Sequence, residues 1–172
     1  MIFGMTTLAF TLVHVMISLV GIVSGFVVVF GLLAGKRLDR WTALFLTSTV
    51  ATSVTGFGFP FDHLLPSHKV GIISLVVLTV AILARHAFHL AGAWRWIYVV
   101  SAAVALYLNV FVLVVQAFEK VPALKAMAPT QSEPPFLVAQ LVVLALFVAL
   151  TIFALKRFRS EQPHAVRAGA GT

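Results

Sequence analysis

The chain has 172 residues, of which 61% are apolar and only 10% charged, with no cysteine. A soluble domain carries about 25% charged residues, so there is too little polar surface here to coat a globule, and hydrocarbon is the expected solvent. The missing cysteine excludes disulfides, thiolate catalysis and cysteine-held zinc or iron–sulfur sites. The formal charge of +7 sits in short clusters beside apolar runs, as orientation signals do, which argues against a nucleic-acid partner.

A helix that crosses a bilayer needs about twenty mostly apolar residues, and five runs meet that length. They are Leu12 to Leu33 (or from as early as Thr7), Trp41 to Phe59, Val70 to Leu90, Trp96 to Phe118, and Phe136 to Leu155. Each is too long for a strand, and backbone groups in hydrocarbon must be satisfied within their own segment. The fold class expected is therefore all-α, a polytopic integral membrane bundle of five transmembrane helices occupying residues 1–159. The polar, Ala- and Gly-rich piece 160–172 reads as a disordered cytoplasmic tail. No charged side chain precedes the first run, so the basic region of a cleavable signal is lacking.

Lysine and arginine set the orientation. Lys36, Arg37, Arg40, Arg85, Arg95, Lys156, Arg157, Arg159 and Arg167 fall on one side, and Lys69, Lys120 and Lys125 on the other. The richer side is cytoplasmic, which puts the N-terminus outside and the C-terminus inside, in a plasma membrane of the bacterial inner-membrane type. The hairpin Pro60 to Lys69, reading PFDHLLPSHK, and the loop Glu119 to Pro135 are then external.

Loop residues fit these limits. Gly35 follows the first span, and Pro60 stops the second because it has no N–H to donate. Ser67 is placed to cap the third span, Ala123 to Ala128 to form a short surface turn, and Pro135 to take the first position of the fifth span. Gly21 and Gly25, spaced as GxxxG, offer a face for close helix approach. The second span carries Thr47, Ser48, Thr49, Thr52, Ser53 and Thr55, whose hydroxyls can bond their own carbonyls or a neighbouring helix. Ser101, Ala105, Asn109, Val112 and Gln116 recur at three- and four-residue steps along one face of the fourth span. An unpaired amide at mid-bilayer is costly, so Asn109 should face protein.

His14, His63 and His68 all fall near the outer face, with Asp62 beside them in sequence. Imidazole ligates zinc, copper or haem iron through a neutral nitrogen, so His14, His63 and His68 form a candidate metal set. His14, His68, Asn109, Gln116 and Gln140 form a candidate cofactor-binding set, with Phe57, Phe59 and Phe61 as apolar walls. Haem b or a transition metal is the cofactor this would suit. Against that stands a plainer reading, in which each histidine bonds a carbonyl or water. At the inner end, His86 and His89 are three residues apart on one helix face, flanked by Arg85 and Arg95. They read as an anchor for anionic lipid. No acid lies mid-membrane, and no base stands level with the serines of the second span, so neither a carboxylate proton path nor a catalytic pair emerges.

A histidine near the start of the first span followed by glycines, here His14, Gly21 and Gly25, resembles the b-type membrane cytochromes. That resemblance implies haem and electron transfer, but it carries no further family residue onto this chain. The sequence as a whole suggests a small, non-enzymatic multi-pass binding or accessory protein with an outward-facing polar pocket. Partners would be the bilayer itself, other membrane subunits or a second copy. A haem- or metal-binding redox protein and a small-solute transporter are the alternatives.

Overall fold

A computed structural model describes residues 4–59 and 66–158. Every described element is helical: α1 (Thr7–Leu33), α2 (Asp39–Gly56), α3 (Pro66–Ile82) continued by a π-helical turn (Leu83–Ala87), α4 (Trp94–Lys120), the short α5 (Pro122–Met127) and α6 (Pro134–Arg157). Four described helices, Thr7–Leu33, Ser67–Ala87, Trp94–Lys120 and Pro134–Arg157, are long and apolar enough to cross a membrane, which marks a helical membrane protein. α2 falls outside this group: its 18 residues include seven Ser or Thr and begin with Asp39 and Arg40.

α4 is the hub, packing on α1, α3 and α6, while α2 is inserted between α1 and α3. Successive long helices run in opposite directions. The Arg85–Asp39 ion pair holds the end of α3 at the start of α2, and Gly35 lies near the Arg157 carbonyl. These contacts gather Lys36, Arg37, Arg85 and Arg157 towards one end of the bundle. At the opposite end Phe10 meets Phe59, Phe57 meets His68, and Phe118 meets Phe136.

The GxxxG spacing has a direct steric use. A Cβ added to Gly25 would lie 2.6 Å from Leu106 Cδ1 and 2.8 Å from Phe45 Cε2, and one at Gly21 would lie 3.2 Å from both Ser48 Oγ and Thr49 Oγ1. These glycines let α1 sit against α2 and α4 together, over a core that includes Val28, Val29, Phe45, Leu78, Ala102 and Leu106. α1 ends as its Gly35 suggests. Gly35 adopts φ +70 and donates to the Leu32 carbonyl, and Lys36 N–H reaches back to Gly31 O at 2.8 Å, closing the last turn.

The hydroxyl-rich α2 divides its polar groups between its own carbonyls and neighbouring helices, and leaves the buried Thr52 Oγ1 without a partner among the described residues. Ser48 and Thr55 donate to carbonyls of their own helix, at 2.6 Å (Leu44 O) and 2.7 Å (Ala51 O). Ser53 bonds Ser74 of α3 at 3.1 Å, and Thr49 accepts from Asn109 Nδ2 of α4 at 3.3 Å. Asn109 therefore faces protein, as the cost of an unpaired amide demands.

Several expectations shift. α3 starts at Pro66, so Ser67 lies inside the helix instead of capping it, and α6 takes both Pro134 and Pro135 into its first turn. The third span ends as a regular helix at Ile82, well short of Leu90. Phe88 N–H bonds the Leu83 carbonyl and Leu90 N–H the Ala84 carbonyl, while His89 and Leu90 take φ of 49 and 59. His86 and His89 consequently do not share a helical face, because the chain widens into a π turn and reverses between them. Gln116 is exposed although Ser101 and Ala105, on the same nominal stripe of α4, are buried. His63, Asp62 and Phe61, and the tail 160–172, lie outside the described residues.

Candidate functional site

At the end bearing Phe57 and Phe59, the two described histidines are packed against aromatic rings. His14 Nδ1 lies 2.8 Å from Thr55 Oγ1, and the Thr55 hydroxyl also lies within bonding distance of Ala51 O. The His14 ring stands edge-on to Phe59 with centroids 5.3 Å apart, and Phe10 meets the same Phe59 at 5.0 Å. His68 is 3% exposed and stacks on Phe57 at 5.4 Å. A Cβ at Gly71, one helical turn on, would touch that Phe57 ring at 3.3 Å. The two imidazoles thus border the same end of α2, one against Phe59 and one against Phe57. Among the described residues no three His, Cys, Asp or Glu side chains gather as a metal site.

The other members of the candidate cofactor set lie elsewhere. Asn109 is engaged with Thr49. Gln140 of α6 is buried and donates from Nε2 to the Phe111 carbonyl of α4 at 3.2 Å, and its Oε1 has no partner among the described residues. Gln116 points away to the exposed surface. Asn109 and Gln140 therefore serve the α4 contacts with α2 and α6, and among the described residues no bond joins these amides to a histidine.

The opposite end is open. A cleft of about 340 Å³ is lined by Arg37, Asp39, Ala43, Arg85, His86, His89 and Leu90. Its floor is built by the departures from regular helix described above. The π turn carries Arg85 and His86, Leu90 is 2% exposed and anchors the reversal, and His89 stands at the positive φ between them. Phe88 stacks on Trp94 at 3.7 Å, tying the reversal to the start of α4. Two residues before the first turn of α2, Arg37 supplies the second guanidinium, and Leu38, the N-cap, offers no side-chain hydrogen bond. π turns and left-handed non-glycine residues are concentrated at functional sites.

Arg85 is the fixed element of this cleft. Its side chain is 13% exposed, its guanidinium lies 5.6 Å from the centre of the Tyr98 ring, and it pairs with Asp39. Asp39 itself is 75% exposed. With the histidines neutral, two arginines against one carboxylate leave the cleft net positive. Arg95 does not line it; its guanidinium lies over the Trp96 ring at 5.3 Å. Arg85, His86 and His89 could be read from the sequence as a basic cluster, whereas Arg37 and Asp39 reach it only through the fold. No charge pattern in the sequence joins residues 46 positions apart.

Comparison with protein-family models, curated proteins and solved structures finds no match. Function is therefore argued from the site alone.

Proposed function

We propose that this is a non-enzymatic, five-crossing binding or accessory protein of a bacterial-type plasma membrane, with its N-terminus outside, whose ligand is an anion held in the cytoplasmic cleft of Arg37, Arg85, His86 and His89. The single observation carrying this reading is that cleft, where two arginines and two histidines surround about 340 Å³ of open space with one acid among them. The alternating direction of the five long helices supports five crossings, with α2 carried across by its packing between α1 and α3. The excess of lysine and arginine at the cleft end supports the orientation. Anionic headgroups at the inner leaflet attract such clusters by about 1 kcal/mol per basic residue.

The test combines two measurements on the full-length protein. Cysteines introduced singly at residue 36 and residue 130 should label from the cytoplasmic and the outer side respectively. Purified protein should retain anionic lipid through detergent exchange, and Arg37→Gln should retain less. Labelling of both positions from one side, or no change in retained lipid, would reject the reading.

A second reading rests on a separate observation. His14 and His68 border one end of α2, within an aromatic setting that would shield a haem or a transition metal. Ligation requires both imidazoles to exchange their present contacts, His14 its bond to Thr55 among them, for the metal. A Soret band or stoichiometric metal in purified protein, lost in the His14→Ala, His68→Ala double variant, would establish it. A colourless, metal-free preparation from replete cells would exclude it.

A further inference from the structure

The pairing inside the basic cleft says more than that it attracts anions. Arg85 and Asp39 differ sharply in freedom: the arginine is nearly enclosed beside Tyr98, whereas the carboxylate is three-quarters exposed. Exposed ion pairs contribute little, typically below about 1 kcal/mol, so the exposed partner can leave at small cost. Asp39 also has somewhere to go. It is the first residue of α2, where a negative side chain remains favoured by the helix N-terminus even after it leaves Arg85. The exchange would thus uncover a pre-positioned guanidinium without unfolding anything.

We propose that the cleft binds a phosphate group and that Asp39 is its displaceable internal competitor, occupying Arg85 until phosphate takes its place. This rests on the anion-binding reading above and assigns the ligand class and the control element of that site. Guanidinium groups suit phosphate because their planar donors match two oxygens at once. Arg85 supplies one such fork, and Arg37, an exposed residue of the lining, supplies a second. His86 and His89 add ring donors from the wall formed by the reversal. The uncapped first turn of α2 opens beside Arg37 and adds backbone N–H groups of the same polarity. The apolar surfaces next to the cleft, with Leu44 of α2 and Leu83 of the π turn both exposed, fit the chains of an inner-leaflet phospholipid. A soluble phosphate ester offers the same chemistry to the arginines.

The experiment uses the full chain in nanodiscs of phosphatidylcholine, with and without phosphatidylglycerol, reading bound anionic lipid by native mass spectrometry and thermal midpoint in parallel. Asp39→Asn should bind phosphatidylglycerol about threefold to fivefold more tightly than wild type, the range set by an exposed ion pair. Arg37→Gln should bind more weakly. Glu161→Gln makes the same change of net charge in the tail and should bind as wild type. Should Asp39→Asn lower the midpoint in phosphatidylcholine alone, Asp39→Ser, which keeps an acceptor at the start of α2, replaces it. Asp39 variants that bind no more tightly than wild type, or Glu161→Gln that binds as tightly as Asp39→Asn, would overturn the competitor role. If Arg37→Gln still weakens binding, the anion cleft survives that outcome; if Arg37→Gln also has no effect, both fall. Added glycerol 1-phosphate separates the sources. Displacement of the lipid identifies a soluble phosphate ester, and retention identifies the headgroup, each consistent with phosphate as the ligand.

Discussion

His68 and His86 are the same side chain in two opposite settings. His68 is buried and stacked on Phe57, at an end of the bundle where His14 is also engaged, with Thr55 and Phe59. His86 is exposed and lines an open cleft with Arg37, Arg85 and His89. The difference follows from what surrounds each. The end of α2 offers Phe57 and Phe59, large flat surfaces against which an imidazole ring packs well. The end of α3 offers Arg85, held by Asp39 and the Tyr98 ring, and no aromatic surface against which His86 stacks among the described residues. An abundance of histidine therefore marks a site only where neighbouring groups do not already consume it.

The largest expected effect comes from parting the helices that keep both ends in place. Gly25→Leu would drive atoms into Phe45 and Leu106 and should cost about 3 kcal/mol, seen as a lowered thermal midpoint in detergent. Both the cleft and the histidine end should loosen together. Phe57→Ala strikes one end only. It should cost about 2 kcal/mol from lost area and ring contact and bring the reactivity of His68 towards diethyl pyrocarbonate up to that of His86. Unchanged His68 reactivity would show that Phe57 does not shield it. Thr55→Val removes the hydroxyl partner of His14 at nearly constant volume and should cost about 1 kcal/mol. A double-mutant cycle with His14→Ala isolates that bond. Asn109→Leu, lying between the two ends, should cost only about 0.6 kcal/mol, the usual worth of an interhelical bond in a membrane.

The smallest effect lies in the loop before α6. Thr130 N–H, Thr130 hydroxyl and Ser132 N–H all donate to the Glu133 carboxylate, at 3.1, 2.9 and 3.1 Å. Desolvation, the largest single influence, would raise its pKa, but these bonds together outweigh it and hold the carboxyl below its usual range. The order they give the loop is fully present above the ordinary carboxylate pKa and is lost as pH falls through the depressed value. Hydrogen exchange at the Thr130 and Ser132 amides should accelerate over that acidic interval, and Glu133→Gln should abolish the dependence.

Much of the fold could be read in the residues. Apolar runs located the long helices, four of which are long and apolar enough to cross a membrane while α2 is not; Gly35 marked the end of α1, and the cost of a lone amide correctly turned Asn109 inwards. What escaped was decided by tertiary contact. The π turn at Leu83–Ala87 leaves no trace in hydrophobic periodicity, because a widened turn of apolar and basic residues resembles the end of any span. The Arg85–Asp39 pair needed α2 and α3 to be placed side by side. Gln116 fell on a regular stripe with Ser101 and Ala105, yet at this level α4 buries a different face, with Phe118 against Phe136, and Gln116 is left exposed.

α2 carries one more implication, for biosynthesis. Four of its hydroxyls, on Ser48, Thr49, Ser53 and Thr55, are bonded to its own carbonyls or to Ser74 and Asn109 of adjacent helices, and it lacks the hydropathy of the other four long helices. On the five-crossing reading, such a segment partitions poorly from the translocon by itself and settles only with a companion. Gly21 and Gly25 make α1 that companion, so the first two helices would leave the ribosome as separate stretches but enter the bilayer as a pair.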